Sequence, residues 1–204
     1  MAAKKPYQPL PLRILHGAIG AFILLALATG FWVYNTYDGR FGRVPLPELG
    51  DIQGIHGTFG LCFLLIFPLF ALYSFQAGKR RLIQPGTFSR LASLGNPQGW
   101  LSWQRVSNTL MLLAATVAAI SGRLMKEAWL PAGELYHKAY YAHLAGWVLM
   151  LFSLVLHILL NLKVGGLPLL GSMVDRQVRE GDTPQVWLKD LREWVHNVTG
   201  REKP

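Results

Sequence analysis

Cysteine is nearly absent from this sequence: Cys62 stands alone among 204 residues. One thiol cannot close an internal disulfide or hold an iron–sulfur cluster. No flavin fingerprint occurs either, so the chain does not encode a dehydrogenase complete in itself. Charge is scarce as well. Only 15% of residues are charged against 51% hydrophobic, and mean hydropathy is +0.28, too apolar for an ordinary soluble domain. Acidic residues are the scarcer sign, 11 against 20 Lys and Arg, which leaves a net charge of +9.

What is present is hydrophobic length. Four apolar stretches are long enough to cross a bilayer: Ile14–Tyr34, Ile55–Phe75, Val106–Met125 and Ala139–Leu160. The basic residues divide unevenly around them. Lys4, Lys5 and Arg13 precede the first span; Lys79, Arg80, Arg81, Arg90 and Arg105 lie between spans two and three. Lys163, Arg176, Arg179, Lys189, Arg192, Arg201 and Lys203 follow the fourth, making fifteen on one side. Arg40, Arg43, Arg123, Lys126 and Lys138 are the five on the other. By the positive-inside rule both termini face the cytoplasm, in a bacterial inner membrane or a thylakoid-type membrane. The positive charge is thus a topology signal that meets membrane lipid, and no nucleic-acid partner is expected. Lys4-Lys5 ahead of an apolar run and Ala26-Leu27-Ala28 imitate a signal peptide, but the run continues through Phe31–Tyr34 and is expected to be a retained helix.

Those spans contain four histidines. His143 and His157 are fourteen residues apart, so on a helix they differ by only about 40° and share a face, roughly 21 Å apart along the axis. That separation covers most of a hydrocarbon core about 30 Å thick. His16-Gly17-Ala18-Ile19-Gly20 and His56-Gly57-Thr58-Phe59-Gly60 are near-copies that open the first and second spans. Glycine costs a helix about 1 kcal/mol against alanine, so the paired glycines imply close approach, either of a flat macrocycle or of a neighbouring helix. Topology matches the histidines by depth: His16 with His157 near the inner surface, His56 with His143 near the outer one. Ionisable groups inside spans are costly and functional by default. Two bare two-histidine sites lack the extra Asp, Glu or Cys that zinc would want, whereas bis-imidazole ligation suits low-spin haem and electron transfer. No C-x-x-C-H motif occurs, so the haem is held non-covalently. His137, about 120° round the helix from His143, is assigned to the outer surface, and His196 to the polar tail.

On these residues the chain resembles the transmembrane di-haem cytochrome b superfamily, which includes the membrane subunits of formate dehydrogenase and nickel-iron hydrogenase. The resemblance rests on Arg13-x-x-His16, His56, Ala142-His143-Leu144-Ala145 and Leu156-His157-Ile158. Trp103-Gln104-Arg105 through Ser121-Gly122 is similar to the third span of the formate dehydrogenase gamma subunit. It implies an all-α membrane four-helix bundle whose fourth helix ligates both haem b groups, with partners from the first two. The tail departs from those gamma subunits: Gly165-Gly166-Leu167-Pro168 leads to a polar segment without their paired histidines.

The expected organisation is a membrane domain over residues 1–164 and a cytoplasmic tail over 165–204. Thr183-Pro184 is a helix start, and Trp187, Leu191, Trp194, Val195 and Val198 give that helix an apolar face suited to the membrane interface or a soluble partner. Pro68 is expected to kink the second span. Electrons need an entry and an exit, and the resemblance implies a quinone site near the inner haem, with His157, Asn108, Gln104 and Arg105 as its candidates. Arg13, Arg40, Arg43 and Arg105 are candidate partners of haem propionates. The expected function is electron transfer between a redox partner subunit and the quinone pool. The alternatives are a standalone superoxide:quinone oxidoreductase and a non-redox membrane scaffold.

Overall fold

The computed structural model describes residues 6–199, apart from the side chains of Leu191, Trp194, Val198 and Thr199. Lys4, Lys5, Arg201 and Lys203 of the charge count lie outside the described residues, as do three side chains of the tail's apolar face, Leu191, Trp194 and Val198. Described secondary structure is all helical: α1 Leu10–Tyr37, α2 Ile52–Gln76, α3 Pro97–Leu124, α4 Lys138–Gly171 and α5 Pro184–Thr199. Short 3-10 turns at Lys79–Arg81 and Phe88–Arg90 lie in the connection from α2 to α3. The first four helices are long and apolar enough to cross a membrane. Their large apolar side chains, among them Leu24, Leu65, Leu113 and Phe152, stand exposed around the bundle, as lipid contact requires.

The helices run past the apolar windows because their ends are stabilised by polar groups beyond the hydrocarbon. Asn96 caps α3 by accepting from the Gln98 N–H, with Pro97 in the first turn, and Asp51 caps α2 by accepting from Gly54 N–H. α1 opens on Pro9, which has no capping side chain, and the Leu10 N–H instead donates across the fold to Asp182 Oδ2 at 2.8 Å. α2 runs unbroken through Pro68. α4 breaks at Gly166, whose φ of 64° and ψ of −167° suit only glycine, two residues before Pro168.

α1 packs along α2 and α3 along α4 as two hairpins, and contact between the hairpins is much sparser. The α3–α4 seam is built from small residues that bring the backbones together: a Cβ at Gly146 would stand 3.1 Å from the Ala118 nitrogen, and the Ser107 hydroxyl donates to the Ser153 carbonyl at 3.1 Å. At mid-depth the hairpins close over one apolar layer, with Ile19, Leu27, Phe63, Phe67, Leu112 and Met150 buried together. A second apolar cluster, Val33, Ile52, Leu130 and Tyr140, closes the outer end, and the four span histidines lie on the seam between the hairpins. We call the end bearing Leu10 and Gly171 the inner end.

Candidate functional site

All four span histidines sit on the sparse seam, each pair joining one hairpin to the other. His16 of α1 faces His157 of α4 with ring centroids 6.0 Å apart, and His56 of α2 faces His143 of α4 at 5.9 Å. Two imidazoles bonding one metal ion from opposite sides, with metal–nitrogen bonds of about 2 Å and about 1 Å from nitrogen to ring centre, would be spaced about 6 Å. The planes of the inner pair are inclined by 32° and those of the outer pair by 74°. His137 takes no part: it precedes α4, stacks on Trp129 at 3.6 Å and pairs through Nε2 with Glu134 at 3.2 Å. His196 lies on the exposed side of α5.

Three of the four rings are oriented by a hydrogen bond at Nδ1. His143 Nδ1 lies 2.9 Å from the Ala118 carbonyl and 3.3 Å from Ser121 Oγ. A carbonyl only accepts, so Nδ1 carries the proton and Nε2 keeps its lone pair. His56 Nδ1 meets Thr29 Oγ1 at 3.1 Å; that hydroxyl spends its own hydrogen on the Leu25 carbonyl at 2.7 Å, so it accepts from the ring. His157 Nδ1 meets Asn108 Oδ1 at 2.8 Å, and Asn108 Nδ2 donates to the Arg81 carbonyl at 2.9 Å, which fixes which way the amide points. Each ring therefore offers Nε2 as a ligand while Nδ1–H is held, the arrangement that metal-bound histidines use.

Glycine geometry speaks against close helix contact at the paired glycines. Gly20 and Gly60 lie one turn beyond His16 and His56, on the same helix faces. A Cβ built at either would meet no protein atom within 4 Å, so neither glycine is there for helix–helix contact. Gly30 and Gly122 do a different job: a Cβ would come within 3.1 Å of His56 Cε1 and 3.0 Å of His143 Cε1, respectively, so their absence of side chain seats the outer imidazoles. Gly60, His56, His143 and Trp147 line a largely apolar cavity of about 870 Å³, within the usual size range of cofactor pockets. No cluster of three or more His, Cys, Asp or Glu side chains forms among the described residues, so no closed zinc site is available. Paired imidazoles, a flat glycine-faced cradle and an apolar lining fit haem.

The other candidate residues have identifiable partners. Arg13, buried, donates to the Asp175 carbonyl and, at 2.9 Å, to the Gln177 carbonyl, tying α1 to the segment after α4. Gln104 Nε2 donates to Asn161 Oδ1 at 2.7 Å, and Asn161 Nδ2 to the His157 carbonyl at 2.6 Å. Arg105 Nε reaches the Arg80 carbonyl at 3.2 Å. Arg40 donates to both Asp38 carboxylate oxygens, to Tyr141 and to the Leu135 carbonyl, so it belongs to the outer rim. Asp38 there also accepts from Tyr140 at 2.6 Å; burial pushes its carboxyl up, but the Arg40 and Tyr140 bonds outweigh this and hold it below the ordinary value. Arg43 donates to the Asp38 carbonyl and, with Arg123 and Lys126, lines the outer cavity.

Sequence reasoning did not identify Thr29, Ser121 or Ala118. The signal available was a polar side chain inside an apolar span, which needs a partner there; that signal picks out Thr29 and Ser121 but not a backbone carbonyl. Residues 7–176 match the prokaryotic cytochrome b561 family, while no curated protein and no solved structure matches the chain. With four membrane-crossing helices and a match over most of its length, this chain belongs to the prokaryotic cytochrome b561 family, multi-pass membrane proteins that transfer electrons through haem b.

Proposed function

We propose that the chain binds two haem b groups, one between His16 and His157 and one between His56 and His143, and relays electrons across the membrane. The observation that carries this reading is the pair of opposed imidazole sets at 6.0 and 5.9 Å on the otherwise sparse seam. Haem b supplies an iron that accepts and returns one electron at a time. The four histidines would hold the two groups through Nε2, and the apolar layer around Phe63 and Phe67 would exclude water between them. Both termini are assigned to the cytoplasmic side on the charge asymmetry.

At the inner end the chain exchanges electrons with quinone, and at the outer end with a redox partner. Gln104 and Arg105 are assigned to the quinone head group. Asn108 is withdrawn from that role, because both ends of its amide are engaged. Arg13 is kept as a propionate candidate: its terminal nitrogens serve the Asp175 and Gln177 carbonyls, while its buried Nε has no hydrogen-bond partner among the described residues. One observation favours a second reading, superoxide as the outer electron donor: Arg43, Arg123 and Lys126 line the outer cavity against a single carboxylate, Glu127, a net positive lining that would attract a small anion. In that case superoxide gives up one electron and leaves as dioxygen.

Single substitutions test the pairing. Changing His16 or His157 to alanine should remove the inner haem alone, and changing His56 or His143 the outer alone. Loss of a haem in His137→Ala with full retention in His143→Ala would refute the assignment. Reduction of the purified protein by a superoxide source, compared with co-purification of a redox subunit, separates the two donors.

A further inference from the structure

We propose that Asn108 is a positioning residue that sets the reduction potential of the inner centre through His157; this rests on His157 being an iron ligand. The acceptors of the three oriented rings differ in kind: chiefly the Ala118 backbone carbonyl for His143, the Thr29 hydroxyl beside the Ala26 backbone for His56, and the Asn108 side-chain amide for His157. The Asn108 contact is the shortest of the three, 2.8 Å. An amide oxygen is a better acceptor than a hydroxyl. The more a ring shares its Nδ1–H, the more electron density reaches Nε2, and the more the oxidised, more positive iron is favoured.

The amide is also locked from behind. Asn108 Nδ2 donates to the carbonyl of Arg81, the last residue of the 3-10 turn Lys79–Arg81. That turn is pinned to the bundle by Ile83 N–H on Thr109 Oγ1 at 3.1 Å, and by the Arg81 guanidinium on Gln8 Oε1 at 2.6 Å. Rotating Asn108 would turn its NH₂ group toward a ring N–H and its oxygen toward a carbonyl, breaking both bonds at once. One side chain thus joins the α2–α3 connection, at the membrane's inner face, to the electronic state of a buried ligand. Asn161 provides the contrast: its amide donates to the His157 backbone carbonyl at 2.6 Å and accepts from Gln104 Nε2 at 2.7 Å.

Potentiometric titration of the haem-loaded full chain, followed optically and by electron paramagnetic resonance, tests this in wild type, Asn108→Leu, Asn108→Asp and Asn161→Leu. Removing the acceptor in Asn108→Leu should raise the inner potential, and the stronger carboxylate acceptor in Asn108→Asp should lower it. The outer centre should stay in place in both, and Asn161→Leu should move neither. Shifts of the same sign in Leu and Asp, no shift, or equal shifts of both centres would overturn the proposal. If the leucine protein fails to keep its inner haem, a lowered potential in the aspartate protein still supports the proposal, and an unchanged one defeats it. A wild-type titration with a single component would instead refute the two-centre reading on which the proposal stands.

Discussion

Gly60→Leu separates a cofactor cradle from ordinary helix packing. A Cβ at Gly60 meets no protein atom within 4 Å, and the residue lines the outer cavity of about 870 Å³, so on protein contacts alone the substitution should be accepted. It should even help, because leucine in place of glycine in a helix interior is favourable by roughly 0.8 kcal/mol. With a macrocycle lying against that face, four added heavy atoms instead intrude on a filled space, and overpacking of this kind costs about 1–3 kcal/mol. At about 1.4 kcal/mol per tenfold, haem at the outer centre should be held roughly 5- to 150-fold less tightly. Gly20→Leu should do the same to the inner centre, since that position is equally free of protein contact. The assay is haem content and visible spectrum of protein purified in detergent, with a thermal melt of the helices as the fold control. Each variant should lose one centre and keep the other, with helix stability unchanged or raised. Full haem content and an unaltered spectrum in both would refute the reasoning.

Electron paramagnetic resonance of the oxidised protein should show two low-spin signals. If the rings keep their inclinations with haem bound, 74° would give a highly anisotropic signal for the outer centre and 32° a rhombic one for the inner; a single signal would contradict the geometry. Gly122→Leu, by pushing on His143 Cε1, should broaden or abolish the outer signal and spare the inner. Asp182→Ala should loosen the tail, because Asp182 accepts from the Leu10 N–H, Tyr7 and Trp187; loss of the α1 cap alone costs about 1 kcal/mol. Burial raises the Asp182 carboxyl, but those three bonds outweigh it and hold it below its ordinary value, so the contribution is present above about pH 4 and is lost as pH falls through the depressed value. Proteolysis between residues 172 and 184 should therefore accelerate in the variant and, in wild type, only at acid pH. Acceleration on going alkaline would reverse the sign and refute this.

The facing of the span histidines in two pairs was legible because membrane topology turns sequence order into depth. Once four spans alternate in direction, His16 can share a layer only with His157 and His56 only with His143, whatever the side-chain detail. Rotation of each helix about its axis is not encoded so simply, and the ring partners depend on it. Thr29, Ser121 and Asn108 are all polar residues in apolar surroundings, yet only their turn toward α2 or α4 tells which ring each one serves. Asn108 was visible as a polar group at the inner end, but its engagement with both Arg81 and His157 was not. Arg13 illustrates the same limit: its place beside His16 suggested a propionate, while its partners come from residues 175 and 177 at the far end of the sequence. Helix ends were underestimated because apolar windows measure hydrocarbon, whereas Asn96, Asp51 and Asp182 stabilise turns outside it.

The central claim is that one chain holds two haems between its four span histidines. A pyridine haemochrome assay, paired with quantitative protein analysis of the detergent-purified chain from haem-sufficient cells, measures it directly. The account predicts two haem b per chain, falling to one in His157→Ala and in His143→Ala. A single haem per wild-type chain, or retention of both after either substitution, would contradict it.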